Sequence, residues 1–178
     1  MILLNMNVMN KVVLGVSKDP VRYYLNGIHV YDKDGFRYYE ATDGHICFRA
    51  IDQIEGDALE GDYIIKMQSA VKSKPKYAEL VIADKDTAVI KADTKNAFDV
   101  IDGNYPDIDR IYPKNREFAK FYVAFQPEYM EKLKKVYGDI KILCKIPFME
   151  DSRSSALWEW ENDDTKYSAI LMPLGLEA

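Results

Sequence analysis

The segment ATDGH at residues 41–45 holds the residue types that general acid–base chemistry would use. It contains one of the two histidines of the chain, and the His45 imidazole could act as a base if the Asp43 carboxylate held it in place. Side chains this close in a turn rarely point at one another, and no serine or cysteine stands at a spacing that nominates it as a nucleophile. Asp43 and Gly44 are typical of a tight connection between strands that needs a positive φ. We therefore predict a turn, and an enzyme that uses Asp43 and His45 is the alternative of another class.

Metal and cofactor chemistry is not indicated by the other candidate residues. Cys47 and Cys144 stand in apolar, strand-like stretches without CxxC or Cys/His spacing, which predicts reduced thiols and neither a disulfide nor a zinc site. The sequence DKDG at residues 32–35 resembles the start of a calcium loop. However, Phe36 and Asp43 stand where that loop needs an oxygen ligand and a glutamate. We expect no cofactor and no metal.

Strand and helix patterns recur along the chain in the same order. Residues 62–65 predict a strand, 67–78 a helix, and 79–83, 87–93 and 96–102 three strands. The order returns with strands predicted at 119–125, 139–146, 155–161 and 166–172 and a helix at 126–138, where Pro127 suits the first helical turn. Residues 1–57 fit a further copy that lacks its opening strand, with a weak helix at 8–18 and strands at 21–31, 36–44 and 45–52. A period of about 55 to 60 residues predicts an α+β chain of strand-helix-strand-strand-strand repeats.

The segment at residues 102–118 separates the second copy from the third. It carries two prolines and one glycine among mixed charges and has no periodicity, which is typical of a linker. We therefore predict two domains, at residues 1–113 with two repeats and at residues 119–178 with one. A long surface loop within a single domain is the alternative.

The charge distribution bears on a nucleic-acid partner. A net charge of −5 argues against a protein that is basic over its whole surface. Lysines nevertheless concentrate on the predicted helices, and their recurrence at equivalent positions favours a shared surface that contacts duplex DNA phosphates without reading sequence. For either helix alone, a solvated outer face explains the lysines better. The predicted DNA contacts are Lys66, Lys72, Lys74, Lys76, Lys132, Lys134 and Lys135.

Four stretches of the sequence resemble the bacterial sliding clamp, the beta subunit of DNA polymerase III. They are VRYYLNGIHV, ATDGH, DGNYPDIDRIYPKN and ILMPLGL, and they follow the order of that family. Residues 19–115 resemble the middle clamp domain, and residues 121–176 resemble the second half of the third domain. The resemblance implies antiparallel sheets with helices on one face, a non-enzymatic processivity factor, and helices that face duplex DNA.

The resemblance also implies a pocket that docks short peptides of polymerases and repair proteins. In that pocket the ATDGH turn would form one wall, and the ILMPLGL tail would supply an apolar floor. Carried over residue by residue, the implied peptide-binding residues are Arg22, Tyr24, Leu25, Thr42, Gly44, His45, Pro113, Gln126, Tyr129, Ser155, Ile170, Met172, Pro173, Leu174 and Leu176.

The three-repeat organisation leads to further expectations. Because clamp domains pair their repeats, an odd number predicts a homo-oligomer. The resemblance includes neither the first domain of that family nor the first half of its third, which carries part of the ring-closing interface, and so implies that this chain cannot close a ring in the usual way. We expect a cytoplasmic protein from a phage, a plasmid or another mobile element, with no membrane contact. One rival keeps the peptide pocket without the ring and acts as a truncated decoy that sequesters clamp-binding peptides.

Overall fold

In the computed structural model, the described residues are 1–67, 69–71, 76–91, 95–113, 123–137, 147–151 and 153–174. They form ten strands and two α-helices in the order β1 (Ile2–Asn5), α1 (Met6–Val12), β2 (Ile28–Lys33), β3 (Phe36–Thr42), β4 (Ile46–Gln53), β5 (Asp62–Ile65), β6 (Tyr77–Asp84), β7 (Thr87–Lys91), β8 (Lys95–Asp99), α2 (Pro127–Tyr137), β9 (Ala156–Asn162) and β10 (Thr165–Leu171). Short 3-10 helices lie at Val13–Gly15, Tyr23–Leu25 and Ile108–Ile111. The predicted mixture of helices and antiparallel sheets is confirmed. No helix among the described residues is long and apolar enough to cross a membrane.

The strands form two antiparallel sheets that exchange strands between repeats. The first sheet has the order β1-β6-β7-β8, and the second has the order β5-β2-β3-β4-β10-β9. The opening strand of each of the first two repeats therefore lies in the sheet of the other repeat. At the centre of the second sheet, β4 pairs with β10 in a register that places Cys47 opposite Ile170. This pairing makes one continuous sheet from the first and third repeats.

The two α-helices pack over a shared core. The side chain of Asn5 caps α1 by accepting the N–H groups of Asn7 and Val8. In α2, Leu133, Val136 and Tyr137 are buried, as expected for one apolar face of a surface helix. Residues from both sheets and both helices join one large cluster of buried apolar side chains. A smaller cluster contains Cys47, Ile108, Leu157 and Ile170.

Several element boundaries differ from the sequence-based predictions. The first repeat does have an opening strand, β1, so the expectation that it lacks one is wrong. The weak helix predicted at 8–18 is shorter and lies at Met6–Val12, and the strand predicted at 21–31 begins only at Ile28. The strands predicted in the second repeat and at the end of the third are confirmed as β6, β7, β8, β9 and β10. Residues 139–146 and 119–122 lie outside the described residues, and the described end of the strand predicted at 119–125 forms only an isolated bridge between Ala124 and Leu174.

The helix predicted at residues 67–78 is wrong for the described part of that segment. Residues 66–67, 69–71 and 76 are not helical, and Tyr77 and Ala78 already belong to β6. The Asn10 side chain binds both backbone groups of Val71, at 2.8 Å and 2.9 Å, and the Lys76 carbonyl accepts the Met6 N–H. Partners from the first repeat thus replace helical hydrogen bonds, and Pro75 in the sequence disfavours a helix interior.

The segment predicted as a linker packs against the second sheet over its described part, residues 102–113. Ile108 is buried in the smaller apolar cluster, and the Tyr105 ring stacks on the His29 ring at 4.5 Å between centroids. Arg49 of β4 donates to the Asp109 carboxylate at 2.6 Å. The segment is therefore a strap fixed on the sheet, hereafter the 102–113 strap. The division into domains at residues 1–113 and 119–178 stays a prediction.

Candidate functional site

The turn at residues 42–46 joins β3 to β4 and is held by its own polar side chains. Thr42 Oγ1 donates to the Ile46 carbonyl at 2.8 Å and accepts the Gly44 N–H at 3.1 Å. Asp43 Oδ1 accepts the N–H groups of His45 and Ile46, each at 3.0 Å. Gly44 has a φ of 93°, which a side chain at this position would oppose. The predicted turn is confirmed.

Helix α2 fixes this turn from the third repeat. Lys132 Nζ donates to Asp43 Oδ2 at 2.8 Å. Burial of the Asp43 carboxyl by itself would raise its pKa, but the hydrogen bonds from Lys132 and from the Ile46 and His45 N–H groups outweigh burial and lower the pKa. Both carboxylate oxygens of Asp43 are thus engaged by an ammonium and by backbone N–H groups. The contacts of the Asp43 carboxylate therefore hold the turn in place. They give no support to proton transfer between Asp43 and His45.

The exposed His45 side chain forms one edge of a shallow surface beside α2. Its ring is stacked with the Tyr129 ring at 6.0 Å between centroids. On the other side, the Arg22 guanidinium lies so close to Gly44 that a Cβ there would overlap it. Asp19 Oδ2 orients Arg22 by accepting its Nε–H at 3.0 Å. A cation, an imidazole and a phenol therefore surround the exposed turn.

The end of β10 continues this surface. The Met172 N–H donates to the His45 carbonyl at 3.0 Å, and the Leu174 N–H donates to the Ala124 carbonyl at 2.8 Å. Met172 is 44% exposed and Leu174 is 39% exposed, which places both among the large apolar side chains at the surface of the described part of the chain. Exposed apolar side chains that neighbour one another often mark interaction sites. Backbone hydrogen bonds thus place Met172 beside the 42–46 turn and Leu174 beside the segment that precedes α2.

The remaining implied peptide-binding residues lie in several environments. Leu25 and Ile170 are buried at 4% and 2% exposure, whereas Gln126 is exposed at the start of α2. Ser155 Oγ donates to the Ile111 carbonyl at 2.5 Å. This hydrogen bond connects the start of β9 to the end of the 102–113 strap, where Pro113 is buried. Tyr24 and Pro173 are partly exposed, and Leu176 lies outside the described residues.

The lysines predicted to contact DNA differ in how free their ammonium groups are. Lys66 pairs with Asp99 at 3.0 Å, Lys132 with Asp43 at 2.8 Å, and Lys135 with Glu131 at 2.9 Å. Lys134 and Lys76 are exposed, and the Lys76 ammonium lies 5.1 Å from the centre of the Tyr77 ring. Lys72 and Lys74 lie outside the described residues.

Arg49 of β4, which the sequence reasoning did not single out, anchors the 102–113 strap on the second sheet. Arg49 has a side chain that is only 7% exposed, and it binds Glu40 at 2.5 Å and Asp109 at 2.6 Å. Its guanidinium also lies 4.8 Å from the centre of the Tyr112 ring. An arginine within an otherwise apolar predicted strand is a signal that could have pointed to this network, because a buried charge requires partners. Within the described ranges, no group of three or more histidine, cysteine, aspartate or glutamate side chains could hold a metal ion.

Comparison with solved structures shows that the chain has the sliding-clamp fold. The DNA polymerase III beta subunit of Thermotoga maritima matches 99% of this chain with a TM-score of 0.72 and 14% identity, and the beta subunit from Streptococcus pyogenes matches 97% with a TM-score of 0.71 and 10% identity. The Caulobacter crescentus beta sliding clamp matches 98% with a TM-score of 0.71 and 17% identity. These matches cover 66%, 65% and 66% of the respective clamp chains.

A relative found by sequence is also a beta sliding clamp. The chain is 23% identical over 113 residues to the beta sliding clamp of Buchnera aphidicola subsp. Rhopalosiphum padi, a match that covers 60% of this chain and 31% of the relative. The chain thus spans about a third of that relative's length in this match. No family model matches the sequence. The resemblance to the bacterial sliding clamp is confirmed.

Proposed function

We propose that this protein is a sliding-clamp-like processivity factor in DNA replication that docks short peptides of polymerases or repair proteins. One observation carries the proposal: the Met172 N–H donates to the His45 carbonyl, so the exposed tail lies against the 42–46 turn at its exposed residue His45. Arg22 and Tyr129 flank this junction, and Met172 and Leu174 offer apolar contact. A flexible methionine at an exposed site suits the binding of several related peptides.

Contact with duplex DNA is the second part of the proposal. Exposed Lys76 and Lys134, together with Lys72 and Lys74, would neutralise phosphates without reading sequence. The protein would act as a homo-oligomer in the cytoplasm, without enzymatic activity of its own. A peptide site and a DNA-facing surface on one chain would allow it to keep a partner enzyme near its template.

A decoy that sequesters clamp-binding peptides without encircling DNA is the second candidate. The observation that favours it is charge: the chain carries a net charge of −5, and Lys66, Lys132 and Lys135 already pair with carboxylates. These pairs reduce the positive charge available to phosphates. Retention on closed circular DNA and the mass in solution distinguish the candidates, because a ring needs an assembly and a decoy can act as a monomer.

Peptide titration tests the docking site. A short peptide with a glutamine followed by leucines and a phenylalanine should bind with a Kd in the range of about 1–100 μM, as a small and partly apolar contact allows. The same peptide with alanine in place of its leucines and phenylalanine is the matched control and should not bind. A chain truncated after Leu171, and the full-length double variant Met172→Ser with Leu174→Ser, should both lose at least about tenfold in affinity. Unchanged binding by both variants would exclude the tail from the site.

A further inference from the structure

Lys132 lies where helix α2 meets the 42–46 turn. Its ammonium is 2.8 Å from Asp43 Oδ2 and 5.1 Å from the centre of the Tyr129 ring. Its side chain is 31% exposed and the Asp43 side chain is 17% exposed, so water competes only partly for this ion pair. A charge-assisted hydrogen bond in such surroundings holds its partner more firmly than a fully exposed pair does.

A short series of hydrogen bonds connects the ion pair to the proposed docking surface, which consists of Arg22, His45, Tyr129, Met172 and Leu174. Asp43 uses its second oxygen to accept the N–H groups of His45 and Ile46, which sets the path of the turn. The His45 carbonyl then accepts the Met172 N–H at 3.0 Å. A shift of the Asp43 carboxylate would therefore move both the rim and the tail of the docking surface.

Contact with a DNA phosphate would conflict with this role. If Lys132 turned toward a phosphate, the Asp43 carboxylate would lose its counter-charge while most of its surface stays covered. Leaving a poorly solvated charge without its partner is unfavourable. Lys134, which is exposed on the same helix, has no such conflict with Asp43.

We propose that Lys132 is a positioning residue of the peptide-docking surface and not a contact for DNA. It holds the Asp43 carboxylate, and through it the turn that accepts the Met172 N–H. This assignment rests on the proposed function, because it presumes that peptides dock at the turn. It also changes the expected DNA surface, since it removes Lys132 from the lysines that contact phosphates.

Substitutions of two α2 lysines separate the two roles. Lys132→Met keeps the bulk of the side chain, and we expect it to weaken peptide binding about tenfold, which is about 1.4 kcal/mol, with DNA retention unchanged. Lys132→Arg keeps the charge and should restore most of the affinity. Lys134→Met should reduce DNA retention. Lys85→Met, in the exposed connection between β6 and β7, is the matched control and should change neither property.

A double-substitution cycle and hydrogen exchange provide readouts that are specific to positioning. Asp43→Asn keeps an oxygen for the turn but removes the charge, so the loss in Lys132→Met with Asp43→Asn should be smaller than the sum of the two separate losses. Without peptide, the Met172 and Ile46 amides of Lys132→Met should exchange faster than in the unmodified protein, because their acceptors are less well held.

The outcomes distinguish this assignment from the function on which it rests. If the unmodified protein bound no peptide, the proposed function would fail and this assignment with it. If it bound peptide and Lys132→Met bound equally well, or if that variant lost DNA retention as Lys134→Met does, the assignment alone would be overturned. Unchanged exchange at Met172 and Ile46 would overturn it as well.

Discussion

The Arg49 guanidinium donates to the Asp109 carboxylate across 2.6 Å and so joins the centre of the second sheet to the 102–113 strap. The same guanidinium binds Glu40, whose side chain is only 2% exposed. Arg49 and Glu40 are therefore buried together, and Asp109, whose side chain is 53% exposed, joins them from the strap. The strap is also held at its end, where the Ser155 hydroxyl donates to the Ile111 carbonyl close to Pro113.

Removing the charge of Arg49 should destabilise the protein strongly. Arg49→Met preserves the aliphatic part of the side chain but removes the arginine partner of the buried Glu40 carboxylate, which keeps the Tyr31 hydroxyl and the His29 ring. We therefore expect the free energy of unfolding to fall by about 3 kcal/mol, the lower end of the range for a broken buried pair. Chemical denaturation measures this loss. Arg110→Met removes an exposed pair with Asp107, in which the arginine side chain is 84% exposed, and should cost less than about 0.5 kcal/mol. Equal effects of the two substitutions would contradict a buried network.

Substitution of Gly44 should affect binding more than a matched substitution elsewhere. Gly44→Ala and Gly35→Ala both place a Cβ at positive φ, 93° and 81°, and each should lower stability by about 1–2 kcal/mol. Only at Gly44 would the Cβ also displace the Arg22 guanidinium, since nothing lies within contact distance at Gly35. We therefore expect peptide affinity to fall in Gly44→Ala alone. Similar affinities in the two variants would show that Arg22 takes no part in docking.

The titration of Asp43 should report its ion pair directly. Hydrogen bonds lower its pKa below the ordinary value of 3.8 even though burial opposes them. The stability that comes from this lowered pKa is fully present at pH values above the ordinary pKa, and it is lost as the pH falls through the pKa of the folded state. Lys132→Met should raise the midpoint measured by carboxyl NMR, because burial then acts with fewer opposing hydrogen bonds, and Lys85→Met should not. A midpoint in Lys132→Met equal to that of the unmodified protein would contradict the pairing.

Retention on DNA should depend on the exposed lysines and on salt. Each phosphate contact contributes about 0.9 to the slope of log affinity against log salt concentration. Lys76→Ala and Lys134→Ala should each weaken binding and lower that slope, whereas Lys85→Ala changes the net charge equally and should leave both unchanged. A uniform response of the three variants would indicate that net charge, and no defined surface, governs DNA binding.

Local patterns in the sequence were sufficient for most of the strands and for helix α2. The alternation in β6 and β7, the apolar and aromatic runs of β9 and β10 and the apolar face of α2 are encoded by neighbouring residues, so composition and period reveal them. The turn at Asp43 and Gly44 is also determined by neighbouring residues, through side-chain hydrogen bonds and a positive φ. The resemblance to sliding clamps rested on such local stretches.

Tertiary structure alone decided how these elements meet. The sequence does not reveal that β4 pairs with β10, that Asn10 binds the Val71 backbone in place of a helix, or that Lys132 pairs with Asp43. Each of these contacts joins residues far apart in the chain, and their free energy depends on burial and on competing partners that no local window contains. For the same reason, a lysine that resembles a DNA contact in the sequence is held by a carboxylate in the folded protein.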